Sequence, residues 1–288
     1  MKKILLILMV VITSFCLTGC IKRDNMENIT IYTTNYPTEY ITKRLYGKFS
    51  KVKSIYPDGV NIETYKLTSK QISDYSKSDL FIFNGLSDEK VYVTKMRDVN
   101  KDLKIIDTTL SMEYDNSIEE VWLDPSNFLM VAQNIKAGLD EYIDSYYLNS
   151  YIDEQYEKLK IEASNLDAEF KNVISGGNTN VIVCDNNMFK YLEKYGLDVY
   201  VLDDKNNDFN KVSNEVKNLV RQGKIKYIFV KNNEDVSKGV KEFAEENNLE
   251  IKKWNTLSNI SEIERSENKD YFSIMNENLD LLKDELYK

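Results

Sequence analysis

Short apolar runs alternate with helical patterns along this chain, which leaves few folds open to it. Two series of four runs are rich in β-branched and aromatic residues, and segments with helical spacing separate the runs. The predicted strands are 29–34, 51–57, 79–84 and 103–108, followed by 180–185, 197–202, 226–231 and 249–254. Strand–helix–strand alternation is typical of mostly parallel sheets covered by helices. The sequence therefore predicts an α/β fold with two βαβ-type lobes.

A strand-free stretch separates the two series. Between positions 125 and 174 it contains one glycine, Gly138, and no proline after Pro125. Its apolar residues recur three or four positions apart, which predicts one helix followed by a long second helix over about 145–173. With a rise of roughly 1.5 Å per residue, the second helix would run for about 40 Å and bridge both lobes. We expect this linking helix to be rigid and to limit hinge motion.

The first twenty residues, MKKILLILMVVITSFCLTGC, have the pattern of a secretory signal. Lys2 and Lys3 precede an apolar run that is shorter than the roughly 20 residues of a membrane-spanning helix. The run leads to LTGC, which resembles a bacterial lipobox, so Cys20 is expected to be diacylated and to become the first mature residue. An ordinary cleaved signal with an incidental cysteine is the alternative. The sequence predicts an extracytoplasmic protein that lipid anchors to the cell membrane.

Five segments follow from these patterns. The polar residues after Cys20 lack apolar periodicity and are predicted to form a flexible spacer between the lipid and the folded body. At the other end of the chain, an amphipathic segment is expected to close the fold as a helix. The predicted segments are the signal peptide 1–19, the spacer 20–28, the N-terminal lobe 29–143, the linking helix 144–175 and the C-terminal lobe 176–288.

Cysteine use and charge restrict the possible functions. Once Cys16 leaves with the signal and Cys20 carries lipid, Cys184 is the remaining cysteine, so no intramolecular disulfide is expected. Loss of Lys2 and Lys3 takes the formal net charge from −9 to about −11, which argues against binding nucleic acid or anionic lipid through bulk charge. The sequence contains no histidine and no Gly-x-Ser-x-Gly motif, so enzymatic chemistry has little support.

Five separated motifs carry a family resemblance. They are TTNYPTEYITKRLYG at 33–47, GVNIETYKLTSKQISDYSKSDLFIFNGL at 59–86, VWLDPSN at 121–127, Tyr-Gly-Leu at 195–197 and DYFSIMNENLDLLKDEL at 270–286. In order and spacing they resemble the metal-binding solute-binding lipoproteins of zinc and manganese ABC importers, and the likeness runs from about Ile29 to the C terminus. The resemblance implies two α/β lobes joined by a rigid helix, with the metal ion in the cleft between them.

The resemblance also implies where a metal ion would bind. Members of that family usually use a histidine after a Gly-Val-Asp-Pro turn, a histidine ahead of Val-Trp-Leu-Asp-Pro, a histidine or glutamate at the start of the second lobe, and a carboxylate near the last strand. Matched by position, these ligands fall on Glu63, Glu120, Asp185 and, with looser alignment, Asn255. None of the four is a histidine, and the histidine-rich loop common in zinc-specific members is also missing.

An all-oxygen set of ligands favours a hard cation. Carboxylate and carbonyl oxygens suit manganese, magnesium or calcium, whereas imidazole suits zinc, so a manganese-like ion is expected to be favoured over zinc. Without a cation the three carboxylates would repel one another unless a lysine such as Lys66 or Lys231 neutralised them. Cys184 could add a soft ligand, although a lone thiol at a strand end is more often a small core residue.

Taken together, the residues and the resemblance predict an extracytoplasmic solute-binding lipoprotein of an ABC importer, with no enzymatic activity. Its expected cargo is a divalent metal ion, manganese or zinc, and its expected partners are the ABC permease and its ATPase. We expect a monomer that binds no nucleic acid. Two alternatives stay open: the same fold with a degenerate metal site that binds another small solute such as an organic cation, or a surface adhesion lipoprotein without transported cargo.

Overall fold

Two four-stranded parallel sheets form the framework of the protein, whose computed structural model describes residues 24–288. The predicted signal peptide over 1–19 and the predicted lipidation site Cys20 lie outside the described residues. The N-terminal sheet has the order β2-β1-β3-β4 and contains β1 (Ile29–Thr33), β2 (Ser50–Ser54), β3 (Leu80–Phe83) and β4 (Lys104–Asp107). The C-terminal sheet has the order β6-β5-β7-β8 and contains β5 (Val181–Cys184), β6 (Asp198–Val201), β7 (Tyr227–Lys231) and β8 (Glu250–Trp254). The predicted α/β fold with two lobes is confirmed.

Helices cover both sheets and continue beyond the second one. They are α1 (Tyr36–Tyr46), α2 (Ser69–Tyr75), α3 (Lys90–Val99), α4 (Glu120–Leu123), α5 (Pro125–Tyr142), α6 (Tyr146–Gly176), α7 (Phe209–Arg221), α8 (Lys238–Glu246), α9 (Glu262–Ser266) and α10 (Tyr271–Leu286). The segment Asn187–Tyr195 is a 3₁₀ helix rather than an α-helix. Among residues 24–288, none of these helices combines the length and the apolar character that crossing a bilayer requires.

The long helix α6 is built as the apolar spacing of its sequence indicates. Ser145 accepts a hydrogen bond from Leu148 N and so caps its start. Residues three or four positions apart, such as Leu148, Ile152, Leu159 and Ala163, are fully buried on one face. Its 31 residues correspond to a length of about 46 Å. The helix packs against α1 and α5 of the N-terminal lobe and against α10 and the 3₁₀ helix of the C-terminal lobe.

Residues 24–28 pack against the folded body, which differs from the flexible spacer expected there. Met26 is only 1% exposed, and its carbonyl accepts a hydrogen bond from Tyr46 Oη. The Asp24 carboxylate accepts bonds from the backbone N–H groups of Asp144 and Ser145, just before α6 begins. These contacts form only in the folded chain, so the ordered body begins before Ile29.

The two lobes meet at the carboxyl ends of their strands. After β1, Tyr36 N donates to Ser258 O, which follows β8 in the other lobe. Trp122 Nε1 crosses to Thr256 O at 2.8 Å, and Tyr271 Oη donates back to Trp122 O at 2.6 Å. In α/β proteins ligands bind outside this edge of the sheet. The contact between the lobes therefore lies where a ligand site is expected.

Candidate functional site between the lobes

Glu63 stands in the N-terminal lobe, in the loop after β2, with a largely exposed side chain. Its backbone N–H donates to Asn61 Oδ1, which shapes the turn that carries it. Partial burial raises the pKa of the Glu63 carboxyl; the charge of Lys231 opposes this rise, and the charges of Glu119 and Glu234 add to it. Glu63 is thus subject to charged groups from both lobes.

Asp185 stands in the C-terminal lobe, directly after β5, and is half-buried. Its Oδ1 atom is buried and has no hydrogen-bond partner among the described residues. Burial raises the pKa of Asp185 to about 7, with the charge of Glu234 adding to the rise and that of Lys231 opposing it. Because Glu234 and Lys231 also act on Glu63, the two candidate ligands share one electrostatic environment.

Glu120 begins the short helix α4 and is 6% exposed. Its Oε2 atom accepts a hydrogen bond from Asp115 N at 3.2 Å, whereas Oε1 is buried without a partner among the described residues. The Glu120 carbonyl accepts a bond from Asn127 Nδ2, which ties this helical turn to α5. The carboxylate is therefore held inside the N-terminal lobe with one oxygen still able to accept a bond.

Asn255 follows β8 and uses both polar atoms of its side chain within the C-terminal lobe. Its Nδ2 donates to Glu264 Oε1 at 2.6 Å, and its Oδ1 accepts from Leu257 N at 2.9 Å. The Asn255 backbone is held as well, through a reciprocal pair of bonds with the Asn278 side chain. The Oδ1 of Asn255 accepts one bond and so keeps one lone pair for a ligand role, while the two side-chain bonds fix its direction.

A buried ion pair joins the lobes beside these residues. Lys231 Nζ, at the end of β7, lies 2.6 Å from Glu119 Oε1 of the N-terminal lobe and 3.1 Å from Glu234 Oε1. The side chains of Lys231 and Glu119 are only 8% and 3% exposed. Burial alone would lower the pKa of Lys231, but Glu119 and Glu234 raise it above its usual value, so the ammonium stays charged.

The predicted ligands are not gathered into a metal cage. Across residues 24–288, no three Cys, Asp or Glu side chains stand close enough together to hold one ion. Cys184 takes no part: its side chain is fully buried, and burial raises its thiol pKa well above the usual range. The thiol lies against the carbonyl oxygens of Asn186 and Tyr200, as expected for a small core residue.

A cavity of about 510 Å³ opens at the edge of the N-terminal lobe, next to Glu63 and Glu119. Aromatic and apolar side chains line much of it, among them those of Tyr56, Tyr65, Leu67, Tyr92 and Trp122. Glu89 also lines it, is buried, and accepts a hydrogen bond from the Ser87 hydroxyl. Burial raises the pKa of Glu89 to about 7. This cavity is far larger than a single metal ion requires.

A family model described as zinc-uptake complex component A, periplasmic (ZnuA), matches residues 31–285. The chain belongs to the ZnuA family. The manganese ABC transporter substrate-binding lipoprotein PsaA of Streptococcus anginosus is 26% identical over 320 residues, with both chains covered in full. The crystal structure of the metal-dependent lipoprotein YcdH from Bacillus subtilis superposes with a TM-score of 0.75 at 20% identity, covering 91% of this chain and all of that one. That of the laminin-binding protein Lbp of Streptococcus pyogenes gives 0.71 at 20% identity, covering 90% and 99%.

Membership of the ZnuA family confirms the resemblance seen in the five motifs. By the names of its family model and its full-length relative, this family supplies the substrate-binding components of ABC importers for zinc and manganese, and these are not enzymes. The names of relatives include lipoproteins, metal-dependent proteins and a laminin-binding protein. The family thus fixes the class of protein, and the site described above departs from the histidine ligands that its members usually have.

Sequence reasoning missed Glu119, which lines the cleft beside the expected ligand Glu120. The spacing of Glu119 and Trp122 in this turn could have indicated that Glu119 faces the other lobe. Residues three apart in a helical turn share a face, and Glu119 stands three positions before Trp122, whose indole reaches the C-terminal lobe. Lys231 was expected only as one of two possible neutralising lysines, and its pairing with Glu119 depends on how the lobes meet, which the sequence does not show.

Proposed function

We propose that this ZnuA-family protein captures a divalent metal ion in the cleft between its lobes as the cargo of an ABC importer, with a manganese-like hard cation favoured over zinc. One observation carries the proposal: Glu63 lines a cavity together with Glu119, whose carboxylate pairs with Lys231 of the other lobe. Asp185 stands at the carboxyl edge of that lobe with a buried Oδ1 that is unpartnered among the described residues. The donors are oxygens in a chain without histidine. Oxygen ligands suit manganese, magnesium and calcium better than they suit zinc.

A captured cation would draw these carboxylates together. Burial and neighbouring negative charges raise the pKa of both Glu63 and Asp185 although Lys231 opposes the rise, so both carboxylates still lack part of a compensating positive charge. A divalent ion would supply that charge. The unpartnered Oε1 of Glu120 offers a third oxygen, and the remaining lone pair of Asn255 Oδ1 offers a fourth. These four residues form the proposed ligand set.

Capture would need a small rearrangement rather than a wide hinge motion. Helix α6 packs against both lobes, and backbone bonds such as Tyr36 N to Ser258 O already hold the edges together. Movement is therefore concentrated in the loops that carry Glu63 and Asp185. The loaded protein, a monomer tethered through lipid at Cys20, would then deliver its ion to the permease, whose ATPase drives import.

A second candidate function is binding of a small organic solute at the same edge. The observation that favours it is the cavity of about 510 Å³, which falls within the usual size range of sites for small organic ligands. Its aromatic walls, together with Glu63, Glu89 and Glu119, would suit an organic cation. A surface adhesion role without cargo is a third candidate, and its support is the name of the laminin-binding relative alone.

Thermal unfolding in the presence of single metal ions tests the proposal. After chelation, manganese, zinc, calcium and magnesium are added separately to the wild type and to Glu63→Gln plus Asp185→Asn. Ligand binding stabilises the native state by RT ln(1 + [L]/Kd), which is about 2.7 kcal/mol at 100 times Kd. We expect the largest rise in melting temperature with manganese, and a much smaller rise in the double variant.

A matched control is Glu154→Gln plus Glu157→Gln, which removes two charges from the exposed face of α6. This variant should respond to manganese like the wild type. If no ion raises the melting temperature of the wild type, the metal proposal is wrong. If the rise survives in Glu63→Gln plus Asp185→Asn, the ligand assignment is wrong, and a larger rise with zinc than with manganese contradicts the proposed preference.

A further inference from the structure

The cleft contains a positive charge that the chain itself supplies. The Lys231 ammonium is held between Glu119 of the N-terminal lobe and Glu234 of its own lobe, at 2.6 and 3.1 Å. The second oxygen of Glu119 accepts a bond from the Ser117 hydroxyl, so both oxygens of that buried carboxylate are used. The Lys231–Glu119 pair is therefore buried across the lobe contact, whereas Glu234 is 41% exposed.

Such a pair needs a specific explanation. Removing a lysine and a glutamate from water costs free energy that their attraction only partly returns, and apolar residues of the same size often serve stability better. Lys194 shows the commoner case in this protein. Its ammonium contacts Asp124 and Asp167 at 2.6 and 3.1 Å, but its side chain is a third exposed to solvent. Burial of charge therefore distinguishes Lys231 from an ordinary surface lysine.

The field of Lys231 reaches the proposed ligands on both lobes. Its charge lowers the pKa of Glu63 and of Asp185, against the rise that burial causes in each. Glu119 and Glu234 contact this ammonium directly, and Glu119 lines the same cavity as the proposed ligand Glu63. A metal ion captured beside Glu63 would therefore meet a like charge, since both cations are drawn to the carboxylate of Glu119.

We propose that Lys231 is a built-in cation that competes with the cargo ion for the carboxylates of the cleft. Cargo binds when the ammonium leaves Glu119, and return of the ammonium to Glu119 helps to expel the ion during delivery. The flexible four-carbon side chain of lysine permits this movement. Because the ammonium group is a compact charge, it can re-form the ion pair without a fixed geometry. The inference rests on the proposed function and adds the residue that sets cargo affinity.

Replacement of Lys231 by a neutral residue of similar length tests this inference. Manganese binding to the metal-free protein is measured by calorimetric titration for the wild type and for Lys231→Met. We expect the dissociation constant of Lys231→Met to be at least tenfold lower, because the competing charge is gone. Without metal its melting temperature should fall, since Glu119 is then buried without a counter-charge. Manganese should restore the lost stability.

Three further variants separate competition from general effects. Lys231→Gln also removes the charge but can donate to Glu119, so it provides a neutral variant if Lys231→Met does not fold. Lys231→Arg keeps the charge and should not bind manganese more tightly than the wild type. Lys194→Met removes a lysine that is also shared by two carboxylates, and it should leave manganese affinity unchanged.

The outcomes distinguish this inference from the proposed function. If the wild type binds manganese and both neutral variants bind it equally or less tightly, Lys231 is not a competitor, and metal capture stands. If the neutral variants bind manganese and the wild type does not, Lys231 blocks the site, and metal capture by the natural protein is wrong. If neither the wild type nor any neutral variant binds an ion, both proposals are overturned.

Discussion

The two lobes have equivalent strand orders but use the carboxyl edges of their sheets differently. In the N-terminal lobe the edge opens onto a cavity of about 510 Å³ with aromatic walls. Asparagine side chains at the carboxyl edge accept bonds from the backbone beside them in both lobes: Asn35 and Asn84 in the N-terminal lobe, and Asn186, Asn232 and Asn255 in the C-terminal lobe. The N-terminal lobe provides the cavity, and the C-terminal lobe provides the sheet edge that carries Asp185 and Lys231.

This difference separates the role of the fold from the role of the residues that follow the strands. Parallel sheets of the same topology bring their strand ends to one place in each lobe, so the fold determines where a ligand can bind. The residues that follow the strands determine what can bind there. Asparagines cap their own loops in both lobes, and the large side chains around the N-terminal edge leave a cavity in addition. The predictions below test this contrast at individual residues.

The largest expected effect on stability is at Trp122, which contacts the other lobe. Its buried indole donates to Thr256 O and its carbonyl accepts from Tyr271 Oη. Trp122→Ala should lower the free energy of unfolding by about 4 kcal/mol, the usual range for a large buried aromatic residue. Urea denaturation measures this loss. Trp122→Phe, which keeps a ring but not the donor, should lose about half as much. No loss in Trp122→Phe would contradict the role of the cross-lobe bond.

A pH-dependent effect is expected at Glu89, in the cavity of the N-terminal lobe. Its pKa of about 7 in the folded protein lies above the usual value of 4.5, so folding favours the protonated acid. The resulting stability is fully present below about pH 4.5 and is lost as the pH rises through 7. Glu89→Gln stays neutral, so at pH 8 it should be more stable than the wild type by about 3 kcal/mol.

Urea denaturation of the wild type and Glu89→Gln between pH 4.5 and 8 checks this prediction. The exposed neighbour Asp88 provides the matched control, since Asp88→Asn also removes one negative charge. Parallel stability curves for the wild type and Glu89→Gln would show that the cavity is more polar than the burial of Glu89 indicates.

A smaller loss is expected at Gly85, which lets the chain pass close to Asp107 at the rim of the cavity. A Cβ atom at position 85 would lie 2.0 Å from Asp107 Oδ2. Asp107 cannot move freely, because its Oδ1 accepts from Gly85 N and from Thr109 N. Gly85→Ala should cost about 2 kcal/mol by overpacking. In an Asp107→Ser background the same change should cost much less, and an equal cost in both backgrounds would rule out this contact as the cause.

The smallest effect is expected at Arg265, which forms another contact between the lobes. Its guanidinium binds Asp58 through Nε and Nη2 and binds Glu39 through both Nη atoms. The side chain is 36% exposed, and Glu39 keeps Lys43 as a partner, so Arg265→Ala should cost only about 1 kcal/mol. Thermal unfolding at low and high salt measures it. A loss as large as that of Lys231→Met would show that burial does not separate the two contacts.

Most of the fold could be predicted because its signals are local. Every strand of both sheets overlaps a strand that the sequence predicts, although β2 contains a single apolar residue, and α6 follows its apolar spacing over 31 residues. The segment after Asn186 was expected to be a helix and forms a 3₁₀ helix, since its apolar spacing fits either type. Residues 24–28 pack against the folded body through Met26. A single apolar residue in a polar stretch does not reveal such packing.

The site could be predicted only in part because it depends on contacts between the lobes. Glu63 and Asp185 follow strands, so their neighbourhood at the sheet edges could be inferred. By contrast, Asn255 is occupied by Leu257 and Glu264, and Lys231 pairs with Glu119 from the other lobe. Side-chain direction within a short helical turn and the distance between lobes decide these contacts. Neither is encoded in the spacing of residues along the chain.

Uptake of manganese by the metal-free protein tests the central claim most directly. Free hydrated manganese gives an electron paramagnetic resonance signal that weakens when the ion is bound, so the signal is followed as the protein is titrated. We predict that one ion is taken up per chain, that zinc at equal concentration does not displace it fully, and that Glu63→Gln plus Asp185→Asn abolishes uptake. An undiminished signal with the wild type would contradict cation capture between the lobes.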